Sequence, residues 1–279
     1  MTSYKSKSWV TTIAMLVFCL EAAIATDNPH GQSPAPAPAK KLRIGFGDNS
    51  YMPTQLLNAS DLVCTPADLG LGTNSPQIKM TKFTNTAKMT RQELAKRKEK
   101  EFNWICYDNE NGKDWPTPAN ELADPTHYTI VAAKLAHEAG FKFIAEPNFE
   151  LIVGRGTGSK DGKLILTEKN VAIERMKEIA PYLDAISLQL QRAQADEQYQ
   201  ELTHRYASEV RSANPKTIIF VQVTSRKRAS NKRSSTPAEM LEAVRSVANF
   251  VDGIWIHNDE NTQDFATELV RLMARAGYR

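Results

Sequence analysis

The chain has 279 residues, of which 41% are hydrophobic and 24% are charged, and its formal net charge at pH 7 is +3. These proportions are typical of a globular protein with a large apolar core, and they exclude a disordered chain or a coiled coil. A charge so close to balance gives no general reason to expect a nucleic-acid partner.

The first 25 residues have the pattern of a secretory signal peptide. Lys5 and Lys7 precede an apolar run from Trp9 to Leu20, and the small residues of Ala23-Ile24-Ala25 follow it. The apolar run is shorter than the roughly 20 residues that a membrane span needs. We therefore expect cleavage after Ala25, no stable membrane anchor, and a secreted or periplasmic protein.

Residues 26–40 are rich in alternating proline and alanine, a composition that favours an extended linker and builds no core. The folded domain is predicted to span residues 41–279, where short runs of β-branched and aromatic residues alternate with amphipathic segments. The predicted strands are Leu42–Gly47, Leu62–Thr65, Ile78–Phe83, Asn103–Asp108, Phe141–Glu146, Ala185–Gln191, Ile218–Thr224 and Gly253–His257.

Helix-start signals stand between these strands. Thr90 with Glu93 and Thr236 with Glu239 form capping boxes, and Asp124 precedes a proline at the first helical position. Regular alternation of strands and helices predicts an α/β fold, a single (β/α)8 TIM-type barrel, with irregularity expected in its first two strands. A doubly wound open sheet is the alternative, but the first strand is not followed by the Gly-rich phosphate turn typical of that fold.

Two of the predicted strands separate into an apolar face and a polar face. In the sixth strand, Ile186, Leu188 and Leu190 alternate with Ser187, Gln189 and Gln191, and in the last strand Ile254 and Ile256 alternate with Trp255 and His257. A parallel strand that is buried on both sides should be apolar on both faces. We therefore expect the polar faces to line a water-filled cavity at the mouth of the barrel.

The fourth strand ends on two carboxylates, Asp108 and Glu110. Because side chains alternate along a strand, these two should point the same way, at the carboxyl ends of the strands where barrels place their active sites. The residues predicted to bind substrate at the same edge are Tyr107, Gln189, Gln191, Gln222, Trp255, His257 and Asp259. Carboxylates, amides and an indole are typical of carbohydrate chemistry.

Asp108-Asn109-Glu110 at the end of a fourth strand, with Trp255 on the last strand, resembles the chitinase-type family 18 glycoside hydrolases. The resemblance implies that Glu110 is the general acid and that Asp108 orients the acetamido group of the substrate. Cys106 and Asn103 stand where the fuller motif of that family has further aspartates. The longer run from Tyr107 through Trp115 to Pro125 also resembles uncharacterised secreted barrel proteins of bacteria.

Glu146, at the end of the fifth strand, is a further candidate catalytic carboxylate, which Asp259 or Glu260 would face across the barrel mouth. The predicted function is that of a secreted glycoside-hydrolase-like barrel that acts on a polysaccharide or oligosaccharide by carboxylate general acid catalysis. Two alternatives remain open: a glycan-binding barrel without catalysis, and a metal-dependent hydrolase built around His257, Asp259 and Asp108.

Two basic loops follow the fifth and seventh strands, at residues 155–163 and 226–233. They predict a cationic rim suited to an anionic glycan, although a pair of solvated loops explains them equally well. We expect a monomer with no cofactor. We also expect no metal, because no His-x-His or His-Glu-x-x-His pattern is present. Cys64 and Cys106 are predicted to be free more readily than bonded to each other.

Overall fold

The computed structural model describes residues 40–47, 54–64, 78–110, 117–148, 159–160, 163–164, 173–194, 198–225, 235–257 and 263–279. Its strands are β1 (Arg43–Phe46), β2 (Leu62–Cys64), β3 (Ile78–Phe83), β4 (Trp104–Tyr107), β5 (Lys142–Ala145), β6 (Ser159–Lys160), β7 (Lys163–Leu164), β8 (Ala185–Leu188), β9 (Ile218–Thr224) and β10 (Gly253–His257). Its α-helices are α1 (Arg91–Glu99), α2 (Ala119–Ala123), α3 (Pro125–Glu138), α4 (Ile173–Ile179), α5 (Gln198–Ala213), α6 (Pro237–Val247) and α7 (Gln263–Arg275). The predicted signal peptide and nearly all of the predicted linker lie outside the described residues.

Eight of the strands close into a barrel in the order β1-β10-β9-β8-β5-β4-β3-β2, and every pairing between them is parallel. The remaining two strands, β6 and β7, form a short antiparallel hairpin between β5 and β8. The predicted (β/α)8 barrel is confirmed. All eight predicted strands are present. Three of them, β3, β9 and β10, have the predicted bounds, and the other five are shorter than predicted at one or both ends.

The predicted helix starts are also confirmed, because the hydroxyl and carboxylate side chains satisfy amide groups that have no partner in a first helical turn. Thr90 accepts a hydrogen bond from the Glu93 amide before α1, and Thr236 and Glu239 form a complete capping box before α6. Within the described part of the chain, each helix is too short or too polar to cross a membrane.

The irregularity predicted near the first two strands is visible in the connection from β1 to β2. Among the residues described there, the chain makes only a short 3-10 turn, Thr54–Leu56. A buried ion pair reinforces this region: Arg279 donates to both carboxylate oxygens of Asp61 at 2.8 and 2.7 Å. Asp61 also accepts the amide of Ile44 at 2.7 Å, so the carboxylate joins β1 to the end of the chain.

The core has two layers, one on each face of the barrel sheet. The outer layer packs the strands against the helices and includes Ile186, Leu188, Ile254 and Ile256. The inner layer fills the barrel and contains Leu62, Cys64, Met80, Trp104, Cys106, Ile144, Ala185, Phe220 and Trp255. The predicted division of the sixth and last strands into a helix-facing and a barrel-facing side is therefore correct.

Gly45 on β1 is required by the inner layer. A Cβ atom at this position would lie 2.1 Å from Cε3 of Trp255, which is fully buried and packs edge-on against Phe220. The indole thus occupies the volume that any other residue at position 45 would need. This close approach fixes the position of the Trp255 ring inside the barrel.

Candidate functional site

Three charged side chains meet inside the barrel near the carboxyl ends of β3, β4 and β5. Lys82 Nζ lies 2.7 Å from Asp108 Oδ2 and 3.8 Å from Glu146 Oε2. Asp108 and Glu146 are only 3% and 2% exposed. We call these three residues the carboxylate cluster. One ammonium compensates two buried carboxylates, so the cluster carries one net negative charge when all three groups are ionised.

The backbone holds both carboxylates in place beyond the ends of the strands. The Asp108 amide donates to Phe83 O, and the Glu146 amide donates to Tyr107 O, each at 2.9 Å. The parallel ladder therefore continues by one residue past β4 and past β5. Because neighbouring strands carry these two residues at the same height, their side chains converge on Lys82 from adjacent positions.

Two glutamines on β9 and after β8 complete the cluster. Gln189 Nε2 donates to Asp108 Oδ1 and to Glu146 O, both at 3.0 Å. Gln222 Nε2 donates to Glu146 Oε1 at 3.3 Å and to Ser187 Oγ at 3.1 Å. Gln189 and Gln222 thus lie beside the carboxylates, as predicted. Each carboxylate has a neutral donor, a glutamine amide, and a cationic donor, Lys82.

A buried pair of thiols lies beneath the cluster. Cys106 donates to Glu146 Oε2 at 3.3 Å and is hydrogen-bonded to Cys64. Burial raises the pKa of the Cys106 thiol well above its usual value, and the Cys64 thiol and the charge of Glu146 raise it further. Neither cysteine forms a disulfide bond. They stand on β2 and β4 with β3 between them, and two strand spacings of about 4.8 Å exceed the Cα separation of about 7 Å that a disulfide tolerates.

Several buried polar atoms in this region have no hydrogen-bond partner among the described residues. They are Gln222 Oε1, Trp255 Nε1, Gln191 Oε1 and both amide atoms of Asn109. A buried polar atom without a partner costs about 1–3 kcal/mol, so such atoms ordinarily contact a water molecule or a ligand. Their concentration near the carboxyl ends of the strands is typical of a binding site.

The structure places the other predicted site residues as follows. Glu110 follows β4 by three residues and is half-buried, with its carbonyl oxygen accepting the Thr117 amide at 3.2 Å. Gln191 lies in the turn after β8, which ends three residues earlier than predicted, and His257 is half-buried at the end of β10. Asp259, Glu260 and most of the two basic loops lie outside the described residues.

Tyr107 does not line the site, so its predicted role as a substrate-binding residue is wrong. Its side chain lies on the outer face of β4 and is 1% exposed. The phenol donates to Glu121 Oε2 at 2.6 Å, and burial together with this hydrogen bond raises the pKa of Tyr107. Since Asp108 faces the barrel, the adjacent residue must face the helices.

Trp255, which is predicted to bind substrate, faces the barrel as expected, but its ring is closed to a sugar. The side chain is 0% exposed and both its faces are covered by the inner layer of the core. Gly45 and Phe220 pack against the ring, so no sugar ring has access to it. The indole nitrogen is buried too, and it has no hydrogen-bond partner among the described residues.

The central cation of the cluster, Lys82, is missing from the residues predicted from sequence. A signal for it exists, because Lys82 shares its face of β3 with Met80 of the inner layer. A lysine on the barrel-facing side of a buried strand requires a carboxylate partner. Lys79, on the opposite face of β3, pairs instead with the exposed Glu101 at 3.5 Å.

The described residues contain no group of three or more His, Cys, Asp or Glu side chains arranged to hold a metal ion.

A cavity of about 340 Å³ opens at the other end of the barrel and is lined by Lys40, Lys41, Arg43, Arg211, Pro215, Lys216, Thr217, Ile218 and Asp252. Burial alone would raise the pKa of Asp252, but the Ile219 amide and the Arg211 guanidinium outweigh it and hold this pKa below its usual value. This cavity is distant from the carboxylate cluster, because β9 and β10 start beside it and end at the cluster.

No protein-family model and no curated protein matches the sequence. Solved structures with a similar fold include the HMG-CoA lyase of Brucella melitensis, at 10% identity and a TM-score of 0.53 over 86% of this chain and 93% of the lyase. The HMG-CoA lyase of Bacillus subtilis has the same identity and TM-score over 87% of this chain and 89% of that one. A GH128 endo-β-1,3-glucanase of Amycolatopsis mediterranei, solved with laminaritriose, is 14% identical with a TM-score of 0.48 over 79% of this chain and 88% of the glucanase. The similarity to the two lyases supports the TIM-barrel fold, and similarity at such low identity assigns no reaction.

Proposed function

We propose that this chain is a glycoside-hydrolase-like barrel that cleaves a polysaccharide or oligosaccharide by carboxylate catalysis. The observation that carries the proposal is the carboxylate cluster at the carboxyl ends of β3, β4 and β5. Its two carboxylates, held in a buried setting, suit a reaction whose transition state carries positive charge. Glycoside hydrolysis passes through such an oxocarbenium-like transition state.

The spacing of the two carboxylates supports the same chemistry. Asp108 Oδ2 and Glu146 Oε2 both contact Lys82 Nζ, at 2.7 and 3.8 Å, so the two oxygens are no more than about 6.5 Å apart. Retaining glycosidases separate their two carboxyl groups by about 5–5.5 Å, and inverting enzymes by about 6.5–9.5 Å. The upper bound of about 6.5 Å brings the two carboxylates close enough to act on the same sugar ring.

We assign the proton donor to Glu110 and the electrostatic role to Asp108. Glu110 is half-buried and follows Asp108 by two residues, just beyond the end of β4. Asp108 is held by Lys82 and Gln189 and would stabilise the positive charge that develops on the reacting sugar. Glu146, held by Lys82, Gln222 and Cys106, is the second carboxylate of the pair.

Glycan binding without cleavage is the second candidate function. The observation that favours it is the position of Lys82, whose ammonium lies between the two carboxylates and offsets part of their charge. A barrel of this kind would keep its amides and its carboxylates as hydrogen-bond acceptors for sugar hydroxyls. It would bind a glycan with the wild-type cluster and release no product.

The experiment that separates the two candidates measures cleavage and binding together. Purified protein is incubated with a panel of neutral and anionic polysaccharides, and reducing ends are quantified alongside sedimentation with the insoluble members. The proposal predicts that wild-type protein releases reducing ends from at least one polymer and that Glu110→Gln binds this polymer without cleaving it. Binding by wild-type protein with no cleavage of any polymer supports the second candidate and contradicts the first.

We also propose that the protein is exported, which follows from the sequence of residues 1–25. Expression in a bacterium with cell fractionation, followed by sequencing of the amino terminus, tests this. Export predicts that the mature chain begins at Thr26 outside the cytoplasm. An unprocessed chain that stays in the cytoplasm contradicts it.

A further inference from the structure

The indole nitrogen of Trp255 is a hydrogen-bond donor that the fold leaves open. The ring is 0% exposed, and Nε1 has no acceptor among the described residues. Gly45 and Phe220 pack against the ring in the inner layer of the core. Packing therefore explains the ring and its orientation, but it does not explain the N–H group, which is ordinarily bonded when it is buried.

The space in front of this nitrogen is bounded by Gly47, which directly follows β1. A Cβ atom on Gly47 would lie 3.6 Å from Trp255 Nε1 and 3.6 Å from His257 Nε2. These are ordinary van der Waals distances, so an alanine would fit without displacing its neighbours. The methyl group would then cover the N–H group. Gly47 thus differs from Gly45, where the ring itself occupies the Cβ position.

An open acceptor stands on the neighbouring strand. Gln222 of β9 is the register partner of Trp255 of β10, and both side chains face the barrel interior. Gln222 uses its Nε2 atom on Glu146 and Ser187, while its Oε1 atom is buried with no partner among the described residues. One donor and one acceptor therefore face the barrel interior from adjacent strands, and both are buried without a partner among the described residues.

We propose that Trp255 Nε1 and Gln222 Oε1 together bind one hydroxyl group of the ligand, and that Gly47 provides the space for it. A hydroxyl group is the chemical group that accepts one hydrogen bond and donates another. A carboxylate or phosphate would accept from the indole but would place an oxygen against the amide oxygen of Gln222. The assignment of this hydroxyl to a sugar rests on the proposed function. Trp255 would then recognise the sugar through its nitrogen rather than by stacking.

Indole N–H resonances of ¹⁵N-labelled protein test this directly. The Trp255 resonance is assigned by its loss in Trp255→Phe, and the resonance of Trp104, another inner-layer indole, is the internal control. The protein, free of glycerol, is titrated with D-glucose, D-galactose and N-acetyl-D-glucosamine, and separately with sodium phosphate and sodium acetate. We expect a saturable shift of the Trp255 resonance with at least one sugar and no shift of the Trp104 resonance.

Gly47→Ala is the variant that separates binding from folding. It should keep the Trp104 resonance and the melting temperature of the wild type while weakening the sugar affinity by about tenfold or more, the loss of one buried hydrogen bond. A Trp255 resonance that no sugar moves, or one that moves with phosphate or acetate instead, overturns the proposal. So does an unchanged sugar affinity in Gly47→Ala.

These outcomes are distinct from failure of the proposed function. If wild-type protein cleaves a polysaccharide and Gly47→Ala cleaves it equally well with the same KM, catalysis stands and the hydroxyl site falls. If the Trp255 resonance responds to a sugar and no polymer is cleaved, the hydroxyl site stands and hydrolysis falls.

Discussion

Lys82 and Asp108 form an ion pair of 2.7 Å inside the barrel, and Glu146 lies 3.8 Å from the same ammonium. A charge that is removed from water in this way must be compensated where it stands, because the surrounding side chains are apolar or already bonded. The Lys82–Asp108 ion pair therefore contributes both to the stability of the barrel and to the charge distribution at its candidate site.

Replacing Lys82 by methionine should destabilise the protein by about 3–5 kcal/mol, because two buried carboxylates lose their common cation. Urea unfolding followed by circular dichroism measures this. Lys79→Met, the same change on the opposite face of β3, is the matched control and should cost at most about 1 kcal/mol, since its partner Glu101 is exposed. Equal effects of the two substitutions would contradict the buried pairing.

Gly45→Ala and Gly47→Ala should differ sharply in their effect on stability. The added methyl group at position 45 would lie 2.1 Å from the Trp255 ring, an overpacking that costs about 1–3 kcal/mol or more. At position 47 the nearest atoms are 3.6 Å away, and the free energy of unfolding should change by less than about 1 kcal/mol. Thermal denaturation of the two variants checks this. A lower melting temperature for Gly47→Ala than for Gly45→Ala would be inconsistent with the packing.

Cys64 and Cys106 should remain thiols after exposure to oxidised glutathione. Their strands are separated by β3, which keeps their Cα atoms too far apart for a disulfide. Burial and the raised pKa of Cys106 should also make alkylation of the native protein slow at neutral pH. Peptide mapping after unfolding in iodoacetamide is expected to find both residues alkylated. A peptide pair linked through Cys64 and Cys106 would show that the strands can move enough to join them.

Asp252 should contribute to the acid sensitivity of the fold. Its pKa in the folded protein is lowered, so its contribution is present above the unfolded value of about 3.9 and is lost as the pH falls through the folded value. The difference in unfolding free energy between wild type and Asp252→Asn should therefore be largest near neutral pH and shrink below about pH 3.9. Urea titrations at several pH values measure it, with the exposed Asp264→Asn as control. If the difference in unfolding free energy between wild type and Asp252→Asn grew on acidification, the pKa of Asp252 would be raised in the folded protein rather than lowered.

The fold was predictable because its signals are local. Each strand is a short apolar run between polar segments, and helix-capping residues mark where the helices start. The alternation of side chains along a strand correctly separates Ile186 from Gln189 and Ile254 from Trp255. The same rule also excludes Tyr107 from the barrel interior, since Asp108 next to it faces inward. The prediction for Tyr107 was wrong because it followed proximity along the chain rather than the alternation of side chains.

The site was less predictable because it depends on how deeply each side chain is buried and on contacts between residues that are far apart in the sequence. Trp255 was placed on the correct face, but sequence does not reveal that the inner layer covers both faces of its ring. Lys82 was overlooked because a lysine near a strand end ordinarily reaches solvent. Its burial against Asp108 and Glu146 follows only from the barrel order, which places β3, β4 and β5 side by side.

The central claim, that the carboxylate cluster is catalytic, is tested most directly by the initial rate of reducing-end release from a polymer that the wild-type protein cleaves. Asp108→Asn, Glu146→Gln and Glu110→Gln are compared with Glu138→Gln, a surface control at the end of α3. We expect the first three substitutions to lower the rate by about 10²–10⁴-fold, with the fold preserved by circular dichroism, and the control to leave it unchanged. Folded Asp108→Asn and Glu146→Gln proteins that cleave at the wild-type rate would contradict the claim.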